Sequence, residues 1–169
     1  MGTLLLMTSN LFSLSAQPKE KPFICGVWIH PGIFGSEEKE AKAKIESTLD
    51  RYLQAGINTL IVLVKNTTGY VYFPSRLGSQ DPAYSWDFFG AFFEAAQKRG
   101  LDVHPWYCVF TEGAIPRPVR DHPEWLISSK NGELVTVVNP ALPQVREYER
   151  SLMLELVERY PVNWIHLDY

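Results

Sequence analysis

Thr59–Val64 reads TLIVLV. Six consecutive apolar or β-branched residues, with no polar alternation, describe a strand buried on both faces. That is the pattern of a parallel sheet covered by helices. A short turn, AGIN (Ala55–Asn58), precedes the stretch, and a long loop, Lys65–Ser85, follows it. α/β proteins place their functional groups on long loops at the C-terminal ends of strands.

The same grammar repeats in both directions. PFICGVWI (Pro22–Ile29) reads as a first buried strand, followed by the loop HPGIFG (His30–Gly35). Ser36 is placed to cap a helix, with Glu37 and Glu38 in its first turn. Ala41, Ile45, Leu49, Tyr52 and Leu53 share one face of it, and Gly56 suits its C-terminal cap. A second helix starts near Trp86, buries Phe88, Phe89, Phe92, Phe93 and Ala96, and stops at Gly100. LDVHPWYCVF (Leu101–Phe110) is a third strand. The excursion Thr111–Leu142 holds SSKNGELV, whose Asn131–Gly132 pair predicts a two-residue hairpin turn. Pro143 suits the first turn of a third helix with Val145, Tyr148, Leu152, Leu156 and Tyr160 buried. VNWIHLDY (Val162–Tyr169) is a fourth strand. The order βαβαβαβ predicts an α/β fold built of parallel βα repeats.

With 46% apolar and 21% charged residues, the chain can build an ordinary core, and a net charge of −3 does not suggest nucleic-acid binding. HPGIFG lacks both phosphate-loop spacings, and no HExxH or Cys/His cluster occurs, so neither a nucleotide, a metal nor another cofactor is expected. Cys25 and Cys108 fall on the first and third strands. Two strand spacings, roughly 9–10 Å, put them beyond disulfide reach. MGTLLLMTSNLFSLSA (residues 1–16) is uncharged and ends in small residues, which reads as a secretory leader. It is too short and too polar for a membrane span. Export to the cell envelope or beyond follows as an expectation.

GVWIHPG, AGINTLIVLV, RGLDVHPWY, HPEWL, NGE, VNPALPQVREY and WIHLDY occur in this order between Gly26 and Tyr169. Together they resemble the N-terminal half of the glycosyl hydrolase-like family 10 domain. The resemblance implies a TIM (β/α)8 barrel, export, and hydrolysis of glycosidic bonds in a polysaccharide or cell-wall glycan. Such a barrel takes about 250 residues. Residues 22–169 are therefore expected to be its first four βα units, with the second carboxylate of a catalytic pair in the missing half.

Glycoside hydrolysis takes two carboxyl groups, one to protonate the leaving oxygen and one to attack or to activate water. Asp168, at the tip of the fourth strand, is the candidate, as nucleophile or as acid. His166 lies one layer below it on the same strand face and could tune it. His104 and Trp106 share a face of the third strand, where Trp106 could stack on a sugar ring and His104 reads as structural. His30, at the tip of the first strand, could bind a sugar hydroxyl. The resemblance adds Lys65, Asn66 and Tyr72 after the second strand and Asn139 before the third helix. Lys65 could equally be a solvated loop charge, and Asn139 a helix-entry turn. Glu112 reads as a solvated acid near the rim, and Trp125 as a loop anchor. A non-catalytic carbohydrate-binding barrel uses the same aromatic and His residues. A self-sufficient half-barrel or flavodoxin-like module is the third reading.

Overall fold

A computed structural model describes residues 23–169, so the leader read at residues 1–16 lies outside the described residues. The chain runs β1 (Gly26–Ile29), α1 (Glu38–Gln54), β2 (Thr59–Lys65), β3 (Tyr70–Val71), β4 (Ser79–Gln80), α2 (Phe88–Gln97), β5 (Asp102–Cys108), β6 (Leu126–Ser128), β7 (Leu134–Val138), α3 (Pro143–Arg159) and β8 (His166–Asp168). β1, β2, β5 and β8 pair in parallel and in that spatial order. Each is joined to the next by a helix. Sequential parallel strands with covering helices form a partial (β/α) barrel, as the sequence pattern implied.

Alternation explains the two faces of this sheet. Val27 and Ile29, Leu60, Val62 and Val64, and Val103 and Tyr107 join one hydrophobic core with Ala41, Ile45 and Leu49 of α1, the α2 phenylalanines, and Leu152 and Leu156 of α3. Phe88, Phe89 and Phe92 are wholly buried, and each contributes about 1.5–3 kcal/mol of apolar burial. The Asp87 carboxylate caps α2 by accepting from the Gly90 N–H at 2.8 Å. A Cβ on residue 90 would crowd that carboxylate and force the cap to shift. The Tyr160 hydroxyl, at the end of α3, donates to the same Asp87 oxygens at 2.9 and 3.0 Å and ties α3 to α2.

Several local expectations need correction. β1 begins at Gly26, because Phe23 and Ile24 lie below the start of its partner β2 and are exposed. They are tethered by Asn58, whose side chain donates to the Phe23 carbonyl and accepts from the Cys25 N–H. α1 takes Glu37 at its N-cap without a side-chain bond, one residue after the expected Ser36. The loop after β2 is not irregular throughout: β3 turns back antiparallel at the tip of β2 and pairs with β4. The β6–β7 hairpin does not use a two-residue turn. Ser129 donates to the Glu133 carbonyl, and Gly132 alone takes a positive φ of 80°, which makes a three-residue loop with glycine at the left-handed position. β8 is confined to His166–Asp168, the residues that find partners on β5. Cys25 and Cys108 are both free thiols.

Candidate active site

The face of the sheet turned away from the helices carries Trp28 and His30 from the β1 end, His104 and Trp106 from β5, and His166 and Asp168 from β8. The parallel register places Trp28 beside Ile61, Ile61 beside His104, and Trp106 beside His166. The rings interlock edge to face. Trp28 meets Trp106 at 5.0 Å and His166 at 4.5 Å between ring centres, and His30 meets Trp106 at 4.9 Å. Such edge-to-face pairs are worth about 0.5–1.5 kcal/mol each beyond their area. Trp28 is still 49% exposed, so this aromatic tier presents ring surface to the open side of the sheet.

Asp168 stands two residues beyond His166, at the tip of β8. The Trp106 indole N–H donates to its Oδ2 at 3.0 Å, and the Tyr169 backbone N–H donates to its Oδ1 at 2.9 Å. Each carboxylate oxygen thus accepts one bond from an N–H that can only donate, so the group is oriented as an acceptor. His166 does not supply this orientation. Two residues along a strand separate it from Asp168 by about 6–7 Å, and its ring packs against Trp28 instead. Asp168 also lines an open cleft of about 520 Å³ between the β8 edge and α3, with Val109, Phe110, Leu167 and Tyr169 on one side and Arg146, Glu149 and Met153 of α3 on the other. A second cleft of about 490 Å³ sits at the opposite, N-terminal end of the strands beside Trp164. There His104 is bonded to Asp102 at 3.0 Å and packed on Trp164. The C-terminal end is the end where barrels place their chemistry.

The residues after β2 do not join this tier. Asn66 donates to the Tyr72 hydroxyl at 3.1 Å and accepts from Thr68 and Tyr70, which builds the turn leading into β3. Tyr72 packs edge-on against Tyr84, and burial pushes its hydroxyl pKa up. Lys65 is fully buried rather than a loop charge or a group at the site edge. Glu112 is likewise buried, contrary to its reading as a solvated rim acid. The Lys65 ammonium lies 2.6 Å from the Glu112 carboxyl. The reason is that the excursion after β5 folds back: Glu112 N–H donates to the Thr136 carbonyl, and Thr111 bridges Val137. Gly69 leaves the room that Glu112 fills. Asn139 accepts from the Ala141 N–H at 2.9 Å and so makes the turn into α3. Trp125 stacks on His122 and packs against Tyr148 as an anchor of the excursion.

Two participants escaped sequence reading. Trp28 lies two residues before His30, so period two puts it on the same face of the first strand. Glu149 was hidden in α3, although it lies four residues after Val145 and three before Leu152, inside the apolar stripe. A carboxylate at such a position calls for a buried cation, and Lys65 is that cation, 3.3 Å away.

The family model "Glycosyl hydrolase-like 10" matches residues 24–169. The chain belongs to this family. Among curated relatives, "Glycosyl hydrolase YngK" of Bacillus subtilis (strain 168) is 26% identical over 157 residues, which cover 82% of this chain and 30% of the relative. "Glycosyl hydrolase DigH" of Escherichia coli (strain K12) is 26% identical over 147 residues, 71% of this chain and 32% of the relative. The chain therefore spans about a third of the length of these relatives. In fold it is similar to alpha-L-fucosidase isoenzyme 2 from Paenibacillus thiaminolyticus, with a TM-score of 0.64 at 20% identity over 84% of this chain and 23% of that one. It is also similar to the maltogenic alpha-amylase AmyB from Thermotoga neapolitana, with a TM-score of 0.62 at 21% identity over 86% and 39%.

Proposed function

We propose that this family member acts as an exported glycoside hydrolase on O-glycosidic bonds of a polysaccharide or cell-wall glycan, with Asp168 as one carboxylate of the reacting pair. The observation that carries this reading is the placement of Asp168. It sits at the tip of the fourth parallel strand, held by Trp106 and Tyr169, beside a tier of indole and imidazole rings. Exposed indole faces suit the apolar faces of sugar rings, and His30 and His166 offer ring nitrogens to hydroxyls. The names of the curated relatives, both glycosyl hydrolases, support the same class. Export rests on the uncharged leader-like stretch at residues 1–16.

The second reading, a carbohydrate-binding barrel without catalysis, draws on one observation. Glu112, the other acid read near the rim, is turned inward onto Lys65, which leaves Asp168 as the carboxylate at the C-terminal end of the aromatic face among the described residues, with Asp102 at the opposite end on His104. One variant separates the two readings. Asp168→Asn is made in the whole product of the open reading frame and assayed for release of reducing ends from cell-wall glycan. A hydrolase loses turnover roughly a hundredfold or more while still binding glycan. Unchanged turnover removes Asp168 from the pair. Binding without turnover in the parent protein establishes the second reading.

A further inference from the structure

A cluster of charges meets behind the tip of β5, on the helix side, away from the aromatic tier. The register of β2 against β5 shifts between Leu63 and Lys65, so Lys65 pairs with Tyr107 and its side chain runs over the Tyr107 ring at 5.1 Å. The ammonium donates to the Cys108 carbonyl at 2.9 Å and the Val109 carbonyl at 2.7 Å. It also lies 2.6 Å from Glu112 and 3.3 Å from both oxygens of Glu149. The Tyr107 hydroxyl donates to Glu149 at 2.8 Å. Lys65, Glu112, Glu149 and Tyr107 are all buried.

The two carbonyls that Lys65 holds belong to the segment where β5 ends. The other edge of that segment carries Asp168. Cys108 is opposite Asp168 in the register, the Val109 N–H donates to the Asp168 carbonyl at 2.8 Å, and the Phe110 N–H donates to the Tyr169 carbonyl at 3.2 Å. Trp106, which orients the Asp168 carboxylate, lies two residues upstream on the same strand. One short piece of backbone therefore has the buried ammonium on one edge and the candidate carboxylate on the other.

We propose that Lys65, held by Glu112 and Glu149, is a positioning residue for Asp168: it fixes the end of β5, and with it the indole-to-carboxylate bond from Trp106. This rests on the reading of Asp168 as a reacting carboxylate.

The charge count makes the device sensitive to protons. One ammonium faces two carboxyls in a dry site, so the site favours retaining one proton. Burial pushes the Glu112 carboxyl up to about 8, and burial raises Glu149 as well. The groups that face Glu112 are Lys65 from β2, Tyr107 from β5, and Tyr148 and Glu149 from α3. Arg117 of the excursion meets them through Tyr148, whose hydroxyl donates to the Arg117 carbonyl. While Glu112 is protonated, the three ammonium protons serve Cys108, Val109 and Glu149. Once it ionises, a second anion competes for them and the hold on the two carbonyls slackens.

The test reads the Trp106 indole N–H by nitrogen–proton NMR in the full chain, assigned with Trp106→Phe. Its resonance is expected to hold steady from pH 6.5 to 7.5 and then to move upfield with a midpoint near 8, as the bond to Asp168 lengthens. Glu112→Gln copies the protonated side chain in size and charge and is expected to fold and to abolish that transition. Lys65→Met, if folded, is expected to show the displaced resonance already at pH 6.5. A resonance that does not move through pH 9.5, or the same transition in Glu112→Gln, overturns the proposal. The readout needs no turnover. A still indole with an inactive Asp168→Asn defeats only the positioning role, whereas a moving indole with an active Asp168→Asn defeats only the reading of Asp168.

Discussion

The two faces of β5 handle polar groups in opposite ways. On the helix side Lys65, Glu112 and Glu149 are buried and paired with one another or with backbone carbonyls. On the inner side Trp28 is half exposed, and Trp106 and Asp168 are only partly covered. The buried face sets its ammonium against its own carboxyls and backbone carbonyls, so it can fix geometry. The open face keeps its groups reachable and takes its geometry from the face behind it. A charged residue near a strand tip is thus insufficient to mark a catalytic group. The side of the sheet on which it emerges decides its role.

The comparison would break most visibly at Lys65. Lys65→Met leaves two buried carboxyls without their cation and is expected to cost about 3–5 kcal/mol of stability, read by denaturant unfolding. A cost under about 1 kcal/mol would mean that water reaches the cluster. The pH dependence sharpens the same point. The Glu112 carboxyl is raised to about 8 in the folded chain, against its ordinary range in the unfolded one. The stability it contributes is therefore complete below about pH 4.5 and is lost as pH rises through about 8. The slope in between is at most about 1.4 kcal/mol per pH unit, and Glu112→Gln is expected to flatten it. On the open face the effects should fall on binding as well as folding. Trp28→Ala removes two edge-to-face pairs and is expected to cost about 1–3 kcal/mol of stability and to weaken glycan affinity roughly tenfold, measured by denaturant unfolding and by calorimetry. Least of all, Asn139→Ala removes one turn bond at the start of α3 and should cost about 0.5–1.5 kcal/mol, seen as a small drop in melting temperature.

The βαβαβαβ order was legible because unbroken apolar runs such as Thr59–Val64 have few other interpretations, and short turns such as AGIN fix where each unit begins. His30, Trp106, His166 and Asp168 were legible for a simpler reason: period two assigns a face, and tips follow from strand ends. Lys65 was misjudged because the register shift just before it reverses the face that counting assigns. Glu112 was misjudged because its burial depends on the hairpin of β6 and β7 returning across it. That contact lies more than twenty residues away in sequence, at Thr136. Glu149 was visible in principle, as a charge inside an apolar stripe, but its partner could be found only in three dimensions.

The central claim is that the β8 carboxylate works in the orientation its indole partner gives it. The direct measurement is the turnover of Trp106→Phe on cell-wall glycan, since that change keeps an aromatic ring and removes the N–H. The expected result is a kcat reduced roughly tenfold or more, consistent with losing a hydrogen bond to a charged group, with KM nearly unchanged. An unaltered kcat would contradict the claim and leave Trp106 as a sugar platform alone.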